Sequence, residues 1–233
     1  METSSSQLSD SLVPFERVAK FIRQLTHDVR NGLSAIDLEA AFIAELVEDP
    51  ETADEVKKLR SMVSNTAKML KEVSQFFQPV TVHLMPWQAG TFFEELQARI
   101  RKAFPEEAGS IQMTSALGDE SVNIDLDQII TAAIQVVRNA VQFRKDFLQL
   151  TILARSDGTN VVIEFTEVKS PSFKTHIPPE EWGCDPLVTT RPGGYGLGLF
   201  RVRQILEAHG AVLESHFHDD TLVTRMLLPV CAA

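Results

Sequence analysis

Two long stretches in which apolar residues step by three and four, separated by little more than Asp49-Pro50, constrain this chain more than any other feature. The first carries Phe15, Val18, Ile22, Leu25, Val29, Ile36 and Ile43. The second carries Val56, Leu59, Val63, Thr66, Leu70, Val73 and Phe77, with Met62, Met69 and Phe76 widening the stripe. This is the spacing of a heptad-like helical seam, weakened by Glu39 at one core position. The first helix is expected from about Pro14 to Val47. Proline suits its first turn, and Asp49-Pro50 stops it, because a residue before proline is driven out of the α region. Thr52-Ala53-Asp54-Glu55 reads as a capping box for the second helix, which ends near Gln78-Pro79. The two form an antiparallel hairpin roughly 40 Å long. Two helices alone cannot bury stripes this wide. The pattern therefore predicts a homodimer whose hairpins make a four-helix bundle; the competing arrangement packs the stripes on the rest of the same chain.

On the first helix His27 falls at an outer position, with Asp28 beside it and Arg30 and Asn31 three and four residues further on. An exposed imidazole with a neighbouring carboxylate and an amide one turn away can accept a phosphoryl group. A solvated helix face that contains a histidine has the same local pattern, and the segment alone does not separate the two.

The totals narrow the class. Of 233 residues 44% are hydrophobic, enough for a buried core, and the formal net charge of −10 argues against a nucleic-acid-binding surface. Cys184 and Cys231 have no metal-type spacing and no disulfide framework, which points to a reducing cytosol. No apolar run approaches the ~18 residues of a membrane span. Met1-Glu2-Thr3-Ser4-Ser5-Ser6 lacks a signal peptide's pattern. The expectation is a cytoplasmic protein with no membrane span and no nucleic-acid partner.

After Pro79 the periodicity changes. Val80 to Leu84 alternates like a short strand, and Phe92 to Phe104 reads as an amphipathic helix. Strands are expected at Ile111 to Thr114 and Ser121 to Ile124, followed by a helix from Leu126 to about Phe143 capped by Asp125. Two strands, Leu148 to Ala154 and Asn160 to Phe165, flank the turn Ser156-Asp157-Gly158-Thr159. The segment from Glu167 to Gly194 is irregular, then a helix from Leu197 to His209 ends at Gly210, and strands at 211–216 and 221–229 close the chain. The fold class is α+β: a flexible tail (1–13), a helical hairpin (14–79), and an α/β sandwich with helices on one face of a mixed sheet (80–233).

Two clusters in the second half carry chemistry. Gly193-Gly194-Tyr195-Gly196-Leu197-Gly198 opens a helix, so its backbone N–H groups can turn toward an anion with the helix dipole behind them. A glycine-rich turn packing a helix tightly on a sheet is the alternative. Gln135 and Asn139 share a face of an otherwise apolar helix, where a polar pair needs protein, water or ligand partners. An asparagine carbonyl there is a suitable Mg²⁺ ligand.

Taken together these segments resemble the catalytic core of two-component sensor histidine kinases. Leu25-Thr26-His27-Asp28-Val29-Arg30-Asn31 resembles the phospho-acceptor box, and Gln135-Val136-Val137-Arg138-Asn139-Ala140 the N-box. Asp185 to Leu199, through Thr189-Thr190-Arg191-Pro192-Gly193-Gly194-Tyr195-Gly196, resembles the F-box and second glycine box, and Arg203-Gln204-Ile205-Leu206-Glu207-Ala208-His209-Gly210 continues the match. The motifs span about residues 15 to 230 in family order. The resemblance implies a dimerisation hairpin followed by the ATP-binding sandwich shared with gyrase and Hsp90-type ATPases. It implies His27 as the phosphorylated residue, Asp28 as its orienter or general base, and Asn31 as the position used for phosphatase activity. Asn139 is then the Mg²⁺ ligand, with Gln135, Gly194, Gly196 and Gly198 around the triphosphate and a response-regulator receiver domain as partner.

Three departures from the family pattern stand out. Gly32 stands where relatives usually have proline. The first glycine box, Asp-x-Gly-x-Gly in relatives, whose Asp accepts the adenine amino group, reads Thr166-Glu167-Val168-Lys169-Ser170-Pro171, with Glu167 roughly in that Asp's place. The segment before the glycine loop is short and proline-rich. Three readings are therefore open: a kinase core using ATP and Mg²⁺, an ATP-independent histidine phosphotransferase or regulator phosphatase with no cofactor, and a non-catalytic receiver-binding scaffold.

Overall fold

The computed structural model describes residues 15–142, 149–169, 177–189 and 196–231. The expected tail at 1–13 and Gly194 lie outside these residues. The chain divides into two compact units, Met1–Pro79 and Val80–Ala233.

The first unit is a hairpin of α1 (Phe15–Leu46) and α2 (Pro50–Phe76). The expected capping box does not open α2. Asp49 is the cap instead: its Oδ2 accepts from the Thr52 N–H at 2.9 Å and the Thr52 hydroxyl at 2.6 Å, with Pro50 in the first helical position. Proline at that site has no N–H to satisfy, so the cap is the residue just before it, three positions earlier than Thr52. Small buried groups, Ala19, Thr26 and Ala40, face α2, which contributes Val63 and Ser74, with Phe77 buried just past its end. Asp37 pairs with Arg60 at 2.9 Å, and Arg23 Nη1 donates to the Phe77 carbonyl at 2.5 Å, tying the open end of the hairpin.

The apolar stripe that the sequence marks as the seam is not the contact between α1 and α2. Val18, Leu25, Val29, Ile36 and Ile43 are 37–48% exposed, and Leu59, Met62 and Met69 of α2 are 45–67% exposed. At about 100° per residue, these α1 residues lie to one side of the line through Ala19, Thr26 and Ala40, and His27 lies to the other. On α2 the exposed residues also lie to one side of Val63. Because the helices are antiparallel, both stripes emerge on the same face of the hairpin, and His27 is on the opposite face.

Gly32 sits mid-α1, and a Cβ built there meets nothing within 4 Å. Gly32→Ala should therefore stabilise the hairpin by about 1 kcal/mol, since alanine spends less backbone entropy in a helix. Thermal unfolding of the full chain reads this out; an unchanged or lower midpoint would mean that the glycine serves bending.

The second unit has a five-stranded mixed sheet in the order β2-β4-β5-β7-β6, formed by β2 (Ile111–Ala116), β4 (Leu150–Ser156), β5 (Asn160–Val168), β6 (Val212–His218) and β7 (Thr221–Pro229). Only β2 and β4 pair in parallel; the other neighbours are antiparallel. A two-stranded ribbon joins β1 (Met85–Gln88) to β3 (Ser121–Ile124). The expected strand at Val80 to Leu84 is absent. Pairing begins at Met85, and the His83 N–H goes to Asp125 Oδ2 at 3.0 Å instead of to a ladder.

Three helices cover one face: α3 (Ala89–Ala103), α4 (Leu126–Gln142) and α5 (Gly198–Ala208). They bury Phe92, Leu96, Ile129, Val137, Ile205 and Leu206 against Val161, Ile163 and Phe165, alternate residues of the central strand β5. β5 does not stop at Phe165. It continues to Val168, so Glu167 stands in the ladder opposite Leu150 and Leu222 and not in an irregular segment.

His209 joins two helix ends. Its Nδ1 lies 2.6 Å from the Ile205 carbonyl, which only accepts, so Nδ1 carries the proton. Its Nε2 then accepts from the Asp125 N–H at 3.0 Å. Asp125 also caps α4 by accepting from the Gln128 N–H at 3.2 Å. The C-terminus of α5 is thereby fixed to the N-terminus of α4.

Candidate functional site

The His27 side chain is 64% exposed and Asp28 60%. His27 Nδ1 lies 3.2 Å from Asp28 Oδ1 and 3.3 Å from Asn31 Nδ2, and Gln24 Nε2 donates to the same Asp28 oxygen at 2.9 Å. The His27 hydrogen bond, followed by that from Gln24, holds the Asp28 carboxyl below the usual range, so it is ionised near neutrality. An ionised carboxylate only accepts; its partner Nδ1 must therefore carry the proton, leaving the lone pair on Nε2. The Asn31 Nδ2, itself a donor, then lies beside the Nδ1–H at 3.3 Å without bonding to it. Thr26, buried behind the histidine, anchors its hydroxyl on the Ile22 carbonyl at 2.6 Å. Gln24 is absent from the residues singled out in the sequence. Its signal was the four-residue step to Asp28 on one helix face.

The second cluster lies at one end of the sandwich. Gln135 Nε2 donates to Asn139 Oδ1 at 3.3 Å, and Arg138 Nη1 donates to Gln135 Oε1 at 3.1 Å. The Gln135 amide packs against Gly198 so closely that a Cβ there would collide with it. Gly196, at φ +63°, lies against the Val188 backbone, and Gly183, at φ +73°, against that of Leu199. Both positions require glycine for conformation and for space. Arg203 fixes the segment beneath: its guanidinium donates to the carbonyls of Trp182 at 2.6 Å, Glu180 at 2.8 Å and Leu213 at 3.1 Å. Trp182 is a packing residue, edge-on to Phe217 with ring centroids 6.2 Å apart. Nothing in the sequence marked Arg203 as a clamp, because its partners are all main-chain carbonyls.

Glu167 closes the same end from the sheet side. Leu150, its ladder partner, is reached eight residues after α4 ends, so Glu167 and the C-terminal half of α4 share one end of the layer. Glu167 Oε2 is 2.8 Å from Lys169 Nζ, with only 12% and 7% of the two side chains exposed. Burial pushes the Glu167 carboxyl above the usual range, and Lys169 pulls it partly back. The phosphate end suits a Mg-triphosphate: Asn139 Oδ1 takes only a long hydrogen bond that a metal can replace, and Gly196 and Gly198 bring backbone close to the α5 N-terminus. The base end does not present the lone carboxylate that adenine recognition implies. No group of histidine, cysteine and acidic residues with metal-binding geometry occurs among the described residues, His216 and His218 included.

No protein-family model matches the chain. Its sequence is 22% identical over 228 residues to the sensory histidine kinase/phosphatase NtrB of Rhizobium leguminosarum bv. phaseoli, covering 88% of this chain and 56% of that protein. It is 24% identical over 256 residues to the sensor protein VanS of Enterococcus faecium, covering 98% of this chain and 64% of that protein. The structure of full-length ShkA in complex with AMPPNP matches 92% of this chain and 46% of its own, with a TM-score of 0.70 at 17% identity. The chain is a homologue of the sensor histidine kinases. The histidine kinase AdeS of Acinetobacter baumannii matches 90% of this chain and 97% of its own, with a TM-score of 0.52 at 13% identity. These structures establish the fold of a histidine kinase core, hairpin followed by sandwich. The core spans about half the length of the NtrB protein it matches, 56%. Among its described residues no helix is long and apolar enough to cross a membrane.

Proposed function

We propose that this chain is a two-component phosphotransfer unit in which His27 Nε2 carries a phosphoryl group from a Mg-nucleoside triphosphate to an aspartate of a receiver domain. The observation that supports this most directly is the His27–Asp28–Gln24 arrangement, an exposed imidazole whose proton is held on Nδ1. The Nε2 lone pair attacks the γ-phosphorus, and the bond from that phosphorus to the β–γ bridging oxygen breaks, releasing the nucleoside diphosphate. The ring gains positive charge in this step, and the ionised Asp28 stabilises it through the Nδ1 proton. Asn139 is the proposed Mg²⁺ ligand, and Gly194, Gly196 and Gly198 the phosphate-binding turn. Asn31, one helical turn from the ring, is the proposed residue for orienting water on a receiver's aspartyl phosphate. Homology to sensor histidine kinases over most of the chain supports the kinase reading over the scaffold.

The exposed stripe on the face opposite His27 is the proposed dimer seam, which leaves both histidines open to a receiver. The test is incubation of the full chain with γ-labelled Mg-ATP and, separately, with a phosphorylated receiver domain. Acid-labile, alkali-stable label is expected on the wild type and at background in His27→Ala, which keeps α1 intact because alanine is the best helix former. Absence of label from both donors would overturn the function.

A further inference from the structure

We propose that the Glu167–Lys169 ion pair replaces a base-reading carboxylate, so that the nucleotide site selects its ligand by the triphosphate and not by the base. The inference rests on the nucleotide-binding reading given above. Glu167 and Lys169 are two apart at the end of β5 and share the sheet face that carries Val161, Ile163 and Phe165. That face looks toward the helices, and its end is the one where Gln135, Asn139 and Gly198 come together.

The chemistry of the pair decides the specificity. A lone carboxylate accepts the amino group of adenine and repels the 6-oxo oxygen of guanine or hypoxanthine, so it selects strongly. Here Lys169 Nζ lies 2.8 Å from Glu167 Oε2, and the pair offers an acceptor and a cationic donor side by side. A 6-amino purine is met by the carboxylate, and a 6-oxo purine by the ammonium. Neither edge is rejected, and discrimination by an unpaired buried group is lost.

The backbone agrees. Val168 is paired with Thr221, and the Lys169 N–H donates to the Asp220 carbonyl at 2.8 Å, so the main chain here is committed to the sheet. No glycine occurs from Thr166 to Pro171 to let that main chain approach a flat ring.

The experiment is calorimetric titration of the full chain with ATP, GTP, ITP and inorganic tripolyphosphate, each with Mg²⁺. ATP, GTP and ITP are expected to bind within about threefold of one another, and tripolyphosphate to retain most of that affinity. Lys169→Met leaves Glu167 as a lone acceptor and should shift the ATP:GTP ratio by about tenfold toward ATP, whereas Lys169→Arg should leave it unchanged. If Lys169→Met does not fold, the wild-type ratio decides. A wild type that prefers ATP over GTP by about tenfold or more overturns the inference, even while His27 is labelled by ATP and the proposed function stands. Failure of every nucleotide to bind at millimolar concentration, with His27 still charged by a phosphorylated receiver, also overturns it and leaves the His27 chemistry intact.

Discussion

Lys169→Met is expected to destabilise the sandwich by about 3 kcal/mol and Glu167→Gln, which mimics the protonated form that burial favours, by much less, while the double variant recovers most of the Lys169→Met loss. Lys169→Met strands the Glu167 carboxylate, whose charged form burial already disfavours, in a site where the two side chains are 12% and 7% exposed. Removing both charges removes the desolvation cost together with the attraction, and such replacements are often neutral. Urea unfolding of the four proteins gives the coupling energy directly. A Lys169→Met variant that loses less than about 1 kcal/mol would place the pair with solvent-exposed ion pairs and refute its burial.

The pH dependence follows from the same geometry. Burial raises the folded Glu167 carboxyl above 4.5, with Lys169 opposing. A raised carboxyl binds its proton more tightly in the folded state. Its contribution to stability is therefore fully present below the unfolded value and is lost as pH rises through the folded one. Wild type should gain stability relative to the double variant as pH falls through this mildly acid window. A difference that is flat with pH would show that Glu167 titrates normally.

This pair also marks where the sequence stopped being legible. The period of three and four in Val18 to Ile43 and in Val56 to Phe77 was enough to place both helices, because long amphipathic helices are determined by local pattern. Which face packs on α2 was not readable. Small residues, Ala19, Thr26 and Ala40, carry that contact and give no hydrophobic signal. His27, Asp28 and Asn31 were readable as one face, since helix spacing fixes their proximity, and so was the four-residue step from Gln135 to Asn139. The approach of Gln135 to Gly198, the Arg203 clamp and the His209 bridge join residues 63, 21 and 84 positions apart. No local period encodes such distances. Glu167 was misplaced for a related reason. A short polar Thr-Glu-Val-Lys run reads as loop until the neighbouring strands supply Leu150 and Leu222 as partners.

Leu25→Glu combined with Ile36→Glu is expected to convert the proposed dimer to a monomer without disturbing the exposed His27 cluster. Both residues lie on the exposed stripe, at 45% and 48% exposure, and neither is among the buried groups that hold α1 to α2. In a two-fold dimer the two changes remove four apolar side chains from the seam, at about 2 kcal/mol each. That total matches the ~8 kcal/mol that holds a micromolar dimer, and four carboxylates facing a low-dielectric seam add a further cost. Light scattering coupled to size exclusion should show the wild type at twice the chain mass and the variant at the single mass. Helical circular dichroism should be retained, because Glu is nearly as good a helix former as Leu. The control is Lys20→Ala with Glu45→Ala, exposed polar positions on the same helix, which should stay dimeric. A wild type that is monomeric at tens of micromolar, or a double variant that remains dimeric, would remove this stripe as the seam. The histidine prediction separates cleanly from this one, since His27 lies on the opposite face: a monomer that still accepts phosphoryl from a receiver would show that the acceptor geometry is built by α1 alone.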